Sequence, residues 1–224
     1  MHPNQEHISN QNIDYYDKIS VDYDCILRVD DKTNLVRKKV AQKLISLVKE
    51  GTVLDFGGGT GEDLKWLTDN NFSVIFCEPS TGMRKIAIEK FNNSNITFIE
   101  DPQTDFTSWN QTLPFPQKVN VVLANFAVLN CILDLDLFFT NITLITAPKA
   151  ELLLLILDYN LKQRIQMYFS KKPVKVKVEH KNKEQLVYLH TLKSIKKATA
   201  DLYEFKSIEQ FREKGFLLIH LTRK

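Results

Sequence analysis

Asp55, Gly57, Gly59 and Gly61 alternate with other residues in "VLDFGGGTGEDLKWL", residues 53–67, directly after an apolar run and before helix-forming sequence. Strand, glycine-rich turn and helix is the geometry in which a backbone approaches a ligand with no Cβ atoms in the way. No Lys-Ser or Lys-Thr follows the glycines, so a nucleotide P-loop is rejected. The dinucleotide fingerprint G-x-G-x-x-G also fails, because Glu62 stands three residues after Gly59. An acid at the mouth of the turn repels pyrophosphate and favours a positively charged ligand. Glu78 closes the next apolar run, 21 residues after Gly57, where a carboxylate can accept hydrogen bonds from both hydroxyls of a ribose. The residues therefore indicate a ligand with an amine or other cation at one end and a ribose at the other.

The elements that must carry these residues alternate along the chain. Apolar runs at 52–56, 73–77, 96–99, 119–124 and 151–157 suit strands buried on both faces. An amphipathic helix is predicted over 33–49, ending at Gly51, and the segments 62–70, 80–91 and 134–146 are long enough for crossover helices. Such alternation predicts an α/β fold with a parallel sheet between two helical layers. Beyond the fifth strand the pattern predicts a helix at 160–169, an antiparallel hairpin from 172–180 and 184–192, a helix at 193–201, and strands at 202–207 and 216–222.

Composition narrows the class. The chain has 224 residues, a formal net charge of +3 and no run of about 18 apolar residues, which fits one globular domain and no membrane span. The first residues lack the regions of a signal peptide, so a cytoplasmic location is expected. Cys25, Cys77 and Cys131 form no C-x-x-C pair and are read as buried free thiols, and the five histidines show no ligand spacing, so no metal is expected.

In these motifs the sequence resembles the class I S-adenosylmethionine-dependent methyltransferases of the small-molecule type. "VLDFGGGTG" is similar to their first motif, "FCEPSTGM" to the second, "FIEDPQTDF" to the third and "VVLANFAVLNCI" to the fourth. The resemblance runs from about Tyr15 to Lys224 and is specific over 53–101. It implies a three-layer Rossmann-like fold with a seven-stranded, mostly parallel sheet, an antiparallel last strand and a cap insertion after strand five. It further implies that residues 1–32 form an N-terminal lid and about 160–192 a substrate cap.

By the same resemblance, Asp55 and the Gly57, Gly59 and Gly61 turn hold the cofactor's methionine end and Glu78, followed by Pro79, holds the ribose. Met83 packs on the adenine, Asp101 or its neighbour Asp105 accepts from the adenine amino group, and Ala124 and Asn125 lie under the methionine. Tyr15 and Tyr16, with Tyr23 behind them, are the residues expected to close over the pocket. Tyr16, Phe126, Asn130 and Tyr159 are expected to face the methyl acceptor, since ligands sit at the carboxyl ends of strands.

No catalytic residue is fixed by the sequence. His180 and His190 in the hairpin are candidate bases, and Asp158 is either a base or a helix cap. The absence of proline in "ANFAVLN" counts against the classes that methylate amino groups of nucleic-acid bases. Eleven lysines and arginines lie between residues 160 and 197 against two glutamates. They are read either as the solvated face of an edge strand or as an attraction for an anionic partner, such as a carboxylate-bearing metabolite, an acidic carrier protein or RNA. RNA is the less favoured of these, because few aromatics and arginines interleave the lysines. An RNA methyltransferase and a non-catalytic cofactor-binding scaffold stand as the alternatives to a small-molecule enzyme.

Overall fold

The structure, a computed structural model, describes residues 3–28, 31–91, 94–158, 174–180, 183–211 and 215–224. Two helices come first, α1 (Pro3–Arg28) and α2 (Asp31–Leu47). The sheet then builds as β1 (Gly51–Phe56), α3 (Leu64–Asp69), β2 (Phe72–Cys77), α4 (Thr81–Lys90), β3 (Ile96–Phe98), β4 (Val119–Ala124), α5 (Leu135–Ile145) and β5 (Thr146–Leu157). A separate hairpin, β6 (Val174–His180) and β7 (Lys183–Leu189), precedes α6 (Leu192–Thr199), β8 (Tyr203–Phe211) and β9 (Phe216–Arg223).

Seven strands form one sheet in the order β3-β2-β1-β4-β5-β9-β8. The first five run parallel, β9 is antiparallel to β5, and β8 is antiparallel to β9. The strand order therefore reverses between β1 and β4, and a crevice opens there at the carboxyl ends. β1, β2 and β4 are buried over their last four residues, so the sheet has apolar side chains on both faces. One face packs Leu54, Val122 and Leu154 against α5 and α6, and the other packs Val53, Leu123 and Leu153 against α2 and α3.

The strands and crossover helices agree with the sequence reading to within a few residues, with two exceptions. β5 starts at Thr146, in direct continuation of α5, where Thr146 pairs with Val119 of β4, and β8 continues to Phe211 through its pairing with the long β9. The helix expected at 160–169 lies outside the described residues. Cys25 is exposed and Cys131 only half-buried, so of the three free thiols Cys77 alone is buried as expected. Among the described residues no helix is long and apolar enough to cross a membrane.

Candidate functional site

A cavity of about 570 Å³ lies over the carboxyl ends of β1, β2 and β4, roofed by α1. Its floor is the glycine turn. Gly57 and Gly59 adopt φ of +71° and +59°, which L side chains rarely adopt. The Gly57 and Gly58 amides both donate to the Cys77 carbonyl, at 2.7 and 3.3 Å, and this pulls the turn across the end of β2.

Glu78 stands at that junction. Its carboxylate accepts from the Gly59 amide at 2.9 Å and from the Ser80 amide at 2.8 Å, while the side chain lines the cavity. Burial raises its pKa to about 7, against the lowering effect of the two amides and of Arg84. Asp55 lies deeper, 1% exposed, and its Oδ2 has no hydrogen-bond partner. Burial and then the neighbouring Asp63 push its pKa well up, Arg37 opposes them, and Glu78 adds to the rise. Asp55 is not among the residues lining the cavity; a buried acceptor without a donor is costly in a folded chain, and a cation bound over the glycine turn would act on it through its charge.

Glu78 thereby couples stability to pH. Its folded pKa lies above that of an unfolded glutamate, so the contribution is fully present below about pH 4.5 and is lost as pH rises through about 7. The loss attributable to this group is on the order of 3 kcal/mol. Urea unfolding of the wild type and of Glu78→Gln at pH 5 and pH 8 is expected to show the wild type losing stability relative to the variant as pH rises. Parallel behaviour of the two proteins would remove Glu78 as the cause.

On the β4 side, Asn125 and Phe126 line the cavity. Phe126 and Ala127 take φ of +49° and +67°, a strained conformation for a residue with a bulky side chain. The turn is held from several directions. The Ala127 amide donates to the Leu155 carbonyl at 2.8 Å, the Arg37 guanidinium lies 4.5 Å from the Phe126 ring centroid, and Phe216 meets that ring edge-on. Arg37 pairs with Asp63 at 2.6 Å, and both line the cavity. Sequence reasoning missed these two. Arg37 sits on the half-buried flank of an amphipathic helix, and Asp63 follows a glycine turn whose familiar pattern ends at Gly61.

The roof is fixed by polar contacts that no linear pattern announced. Asp17 of α1 accepts from the Gly82 amide at 2.8 Å and from the Ser80 hydroxyl at 2.6 Å, and Ser80 itself caps α4 through the Met83 amide. Asp24 pairs with Lys90 and accepts from the Thr60 hydroxyl at 2.5 Å. Asn12 exchanges two hydrogen bonds with the Leu186 backbone, both at 3.0 Å, so its amide mimics a strand partner for β7. Helix α1 is thus tied to α4 on one side and to the hairpin on the other.

The remaining expected residues divide. Pro79, Asp101, Asp105 and Tyr16 line the cavity, with Tyr23 beside them. Asp101 is bound by Arg84 at 2.8 Å and by Thr104; burial raises its pKa, but these two partners outweigh it and leave the net shift downward. Met83 is fully buried with Tyr15 and Ile19 between α1 and α4, so neither Met83 nor Tyr15 is among the lining residues: the roof helix covers them. Gly61 turns the chain into α3, with no room for a Cβ beside Leu64, and Ala124 is fully buried in the strand. Asn130 is also buried behind the wall, where it donates to the Tyr188 carbonyl and accepts from the Leu157 amide.

The two described candidate bases, His190 and Asp158, are not among the residues lining the cavity. His190 is 1% exposed and hydrogen-bonds the Ile132 carbonyl at 2.7 Å; burial lowers its pKa, so it stays neutral as a strut beneath the wall. Asp158 accepts from Gln210, and its amide donates to the Gly215 carbonyl at 2.7 Å, which ties the end of β5 to the β8–β9 turn. Tyr159 and the side chain of His180 lie outside the described residues, as do most of the lysines of the 160–197 segment.

A family model described as a methyltransferase domain matches residues 31–205. The chain belongs to that methyltransferase family. Among solved structures, it is similar to the complex of DhpI with S-adenosylhomocysteine, with a TM-score of 0.71, 16% identity, and coverage of 96% of this chain and 97% of that one. It is also similar to the 1,6-didemethyltoxoflavin-N1-methyltransferase of Burkholderia thailandensis, with a TM-score of 0.65, 13% identity, and coverage of 95% and 88%. The magnesium protoporphyrin IX methyltransferase of Synechocystis matches with a TM-score of 0.61, 16% identity, and coverage of 88% and 85%. At these identities the likeness is one of fold, the Rossmann-like methyltransferase fold expected from the sequence. No curated protein sequence matches this methyltransferase.

Proposed function

We propose that this methyltransferase uses S-adenosylmethionine to methylate a small organic molecule inside the cavity over β1 and β4. The observation that carries the reading is the pairing of two kinds of acceptor in one cavity. Glu78 suits a diol, and Asn125, which lines the cavity with its buried Oδ1 unpartnered, suits an ammonium group, while the Asp55 carboxylate lies beneath the glycine turn. S-adenosylhomocysteine and S-adenosylmethionine, with which DhpI forms its complexes, carry both ends, which supports the same assignment here. When bound, the cofactor supplies an activated methyl carbon, and the protein has to align the acceptor and exclude water.

The residues facing the acceptor bear on its class. Ile13, Val128, Ile132, Leu133 and Leu137 give that wall an apolar surface, with Tyr16 and Cys131 among them. Burial pushes Tyr16 well above its usual pKa, Tyr23 to about 12 and Cys131 to about 11, so all three hold their protons at neutral pH. They can donate hydrogen bonds and cannot readily take a proton from the acceptor. Around them Glu62, Asp63, Glu78, Asp101 and Asp105 line the cavity against Arg37, which is already paired. This balance favours a neutral or cationic acceptor whose nucleophile needs no deprotonation over the anionic acceptor considered from the lysine-rich segment.

Calorimetric titration with S-adenosylmethionine and, separately, S-adenosylhomocysteine tests the cofactor reading; micromolar binding of both is expected, with NAD giving no heat. If NAD binds and neither nucleoside does, the reading is wrong. Ionised Glu78 accepts from both ribose hydroxyls, whereas its protonated form keeps one carbonyl acceptor, so affinity should follow its ionisation, with a dissociation constant for S-adenosylhomocysteine about fivefold lower at pH 8 than at pH 6. Affinity that is flat across this range would separate Glu78 from the ligand.

A further inference from the structure

We infer that Asp63 is a positioning residue: it locks the side-chain amide of Asn125 so that Oδ1 is presented to the cavity as a fixed acceptor for the cofactor's amino group. The inference rests on the cofactor reading above. Asp63 is 4% exposed and stands where the glycine turn enters α3. Its Oδ1 receives Arg37 Nη1 at 2.6 Å and Trp66 Nε1 at 2.7 Å, and its Oδ2 receives Asn125 Nδ2 at 3.0 Å. Three elements, α2, α3 and the turn after β4, meet on this one carboxylate.

The chemistry of the cluster fixes what Asn125 can show. An ionised carboxylate only accepts, and each of its three neighbours here must point a donor at it. Asn125 has one donor end and one acceptor end, so committing the nitrogen to Asp63 turns the oxygen away from it. Asn125 is 6% exposed and lines the cavity, and that oxygen is buried behind its surface with no hydrogen-bond partner. With Arg37 held by the same carboxylate and stacked on Phe126, Asp63 also braces the strained turn that carries Asn125.

Replacing Asp63 by asparagine reverses the polarity of the lock without changing its size. In Asp63→Asn the remaining side-chain oxygen stays with Arg37 and Trp66, the new amide nitrogen faces Asn125, and Asn125 turns over to accept from it. A donor then faces the cofactor's ammonium group, where an acceptor stood. Binding of S-adenosylhomocysteine and of 5′-methylthioadenosine, which lacks the amino-acid end, is to be measured for wild type, Asp63→Asn, Asn125→Ala and the double variant. The expected result is a loss of at least tenfold for S-adenosylhomocysteine in each single variant and less than twofold for 5′-methylthioadenosine. In the Asn125→Ala background, Asp63→Asn should cost no more than a further twofold, the signature of two residues acting as one unit.

Asp63→Glu provides a second route should the asparagine variant not fold. It keeps a charge for Arg37 but shifts the carboxylate by a methylene, and it should give the same loss selective for S-adenosylhomocysteine. Losses that multiply in the double variant, or that fall equally on both ligands, would overturn the inference and leave Asp63 a structural residue. Failure of the wild type to bind S-adenosylhomocysteine would instead overturn the cofactor reading.

Discussion

Glu78→Ala is expected to weaken S-adenosylhomocysteine binding by about 100-fold, the largest effect of any single polar substitution in the site. A charge-assisted hydrogen bond contributes about 1.5–3 kcal/mol, and a ribose offers Glu78 two of them. About 3 kcal/mol of lost affinity corresponds to that factor. The carboxylate also holds the Gly59 and Ser80 amides, so its removal releases the turn that forms the cavity floor. Glu78→Gln keeps one carbonyl oxygen and should lie between, near tenfold. Calorimetry at pH 8, with circular dichroism to establish that the variants fold, measures both. Affinity of the alanine variant within threefold of wild type would refute the ribose assignment.

The second large effect falls on stability and on a residue that the alternating motif leaves open. Gly58→Ala is expected to destabilise the protein by about 2–3 kcal/mol, as overpacking of a filled core does. A Cβ at position 58 would stand 2.2 Å from Phe76 Cε2 and 2.7 Å from Asp55 Oδ2. Phe76 is fully buried and packs edge-on against Phe98, so its ring has nowhere to move. Thermal unfolding should show a melting temperature lower by about 5–10 °C. Gly59→Ala makes the control. Its Cβ would meet only Tyr23 Cε1 at 3.7 Å, so it should lose roughly 1 kcal/mol through its positive φ alone. An equal loss in the two variants would show that the Phe76 ring yields and that crowding is not what makes position 58 a glycine.

Arrangement of acids around the glycine turn also explains why the protein tolerates buried carboxylates. Asp63 and Glu78 stand close enough to Asp55 to add to the rise that burial gives its pKa, and Arg37, paired with Asp63, opposes them. Their burial is a cost to the fold that a cationic ligand offsets. Ligand binding and thermal stability should therefore rise together in this protein.

The order of the strands and crossover helices, the glycine turn after β1 and the carboxylate after β2 were all legible along the chain. These depend on local information: apolar runs of strand length, glycines where the backbone must turn, and an acid at a fixed distance along a parallel sheet. Packing in three dimensions settled the rest. Met83 and Tyr15 meet each other rather than the cavity because α1 lies down on the start of α4, where Asp17 caps the helix from 63 residues away. His190 and Asp158 became struts because the ends of β7 and β5 abut carbonyl and amide groups of neighbouring turns. The partnership of Arg37, Asp63 and Asn125 joins residues separated by up to 88 positions, and Gly58 is required only because Phe76 packs beneath it. Spacing along a chain encodes which face of an element a residue occupies, but which side chains then share a buried volume depends on how the faces are stacked.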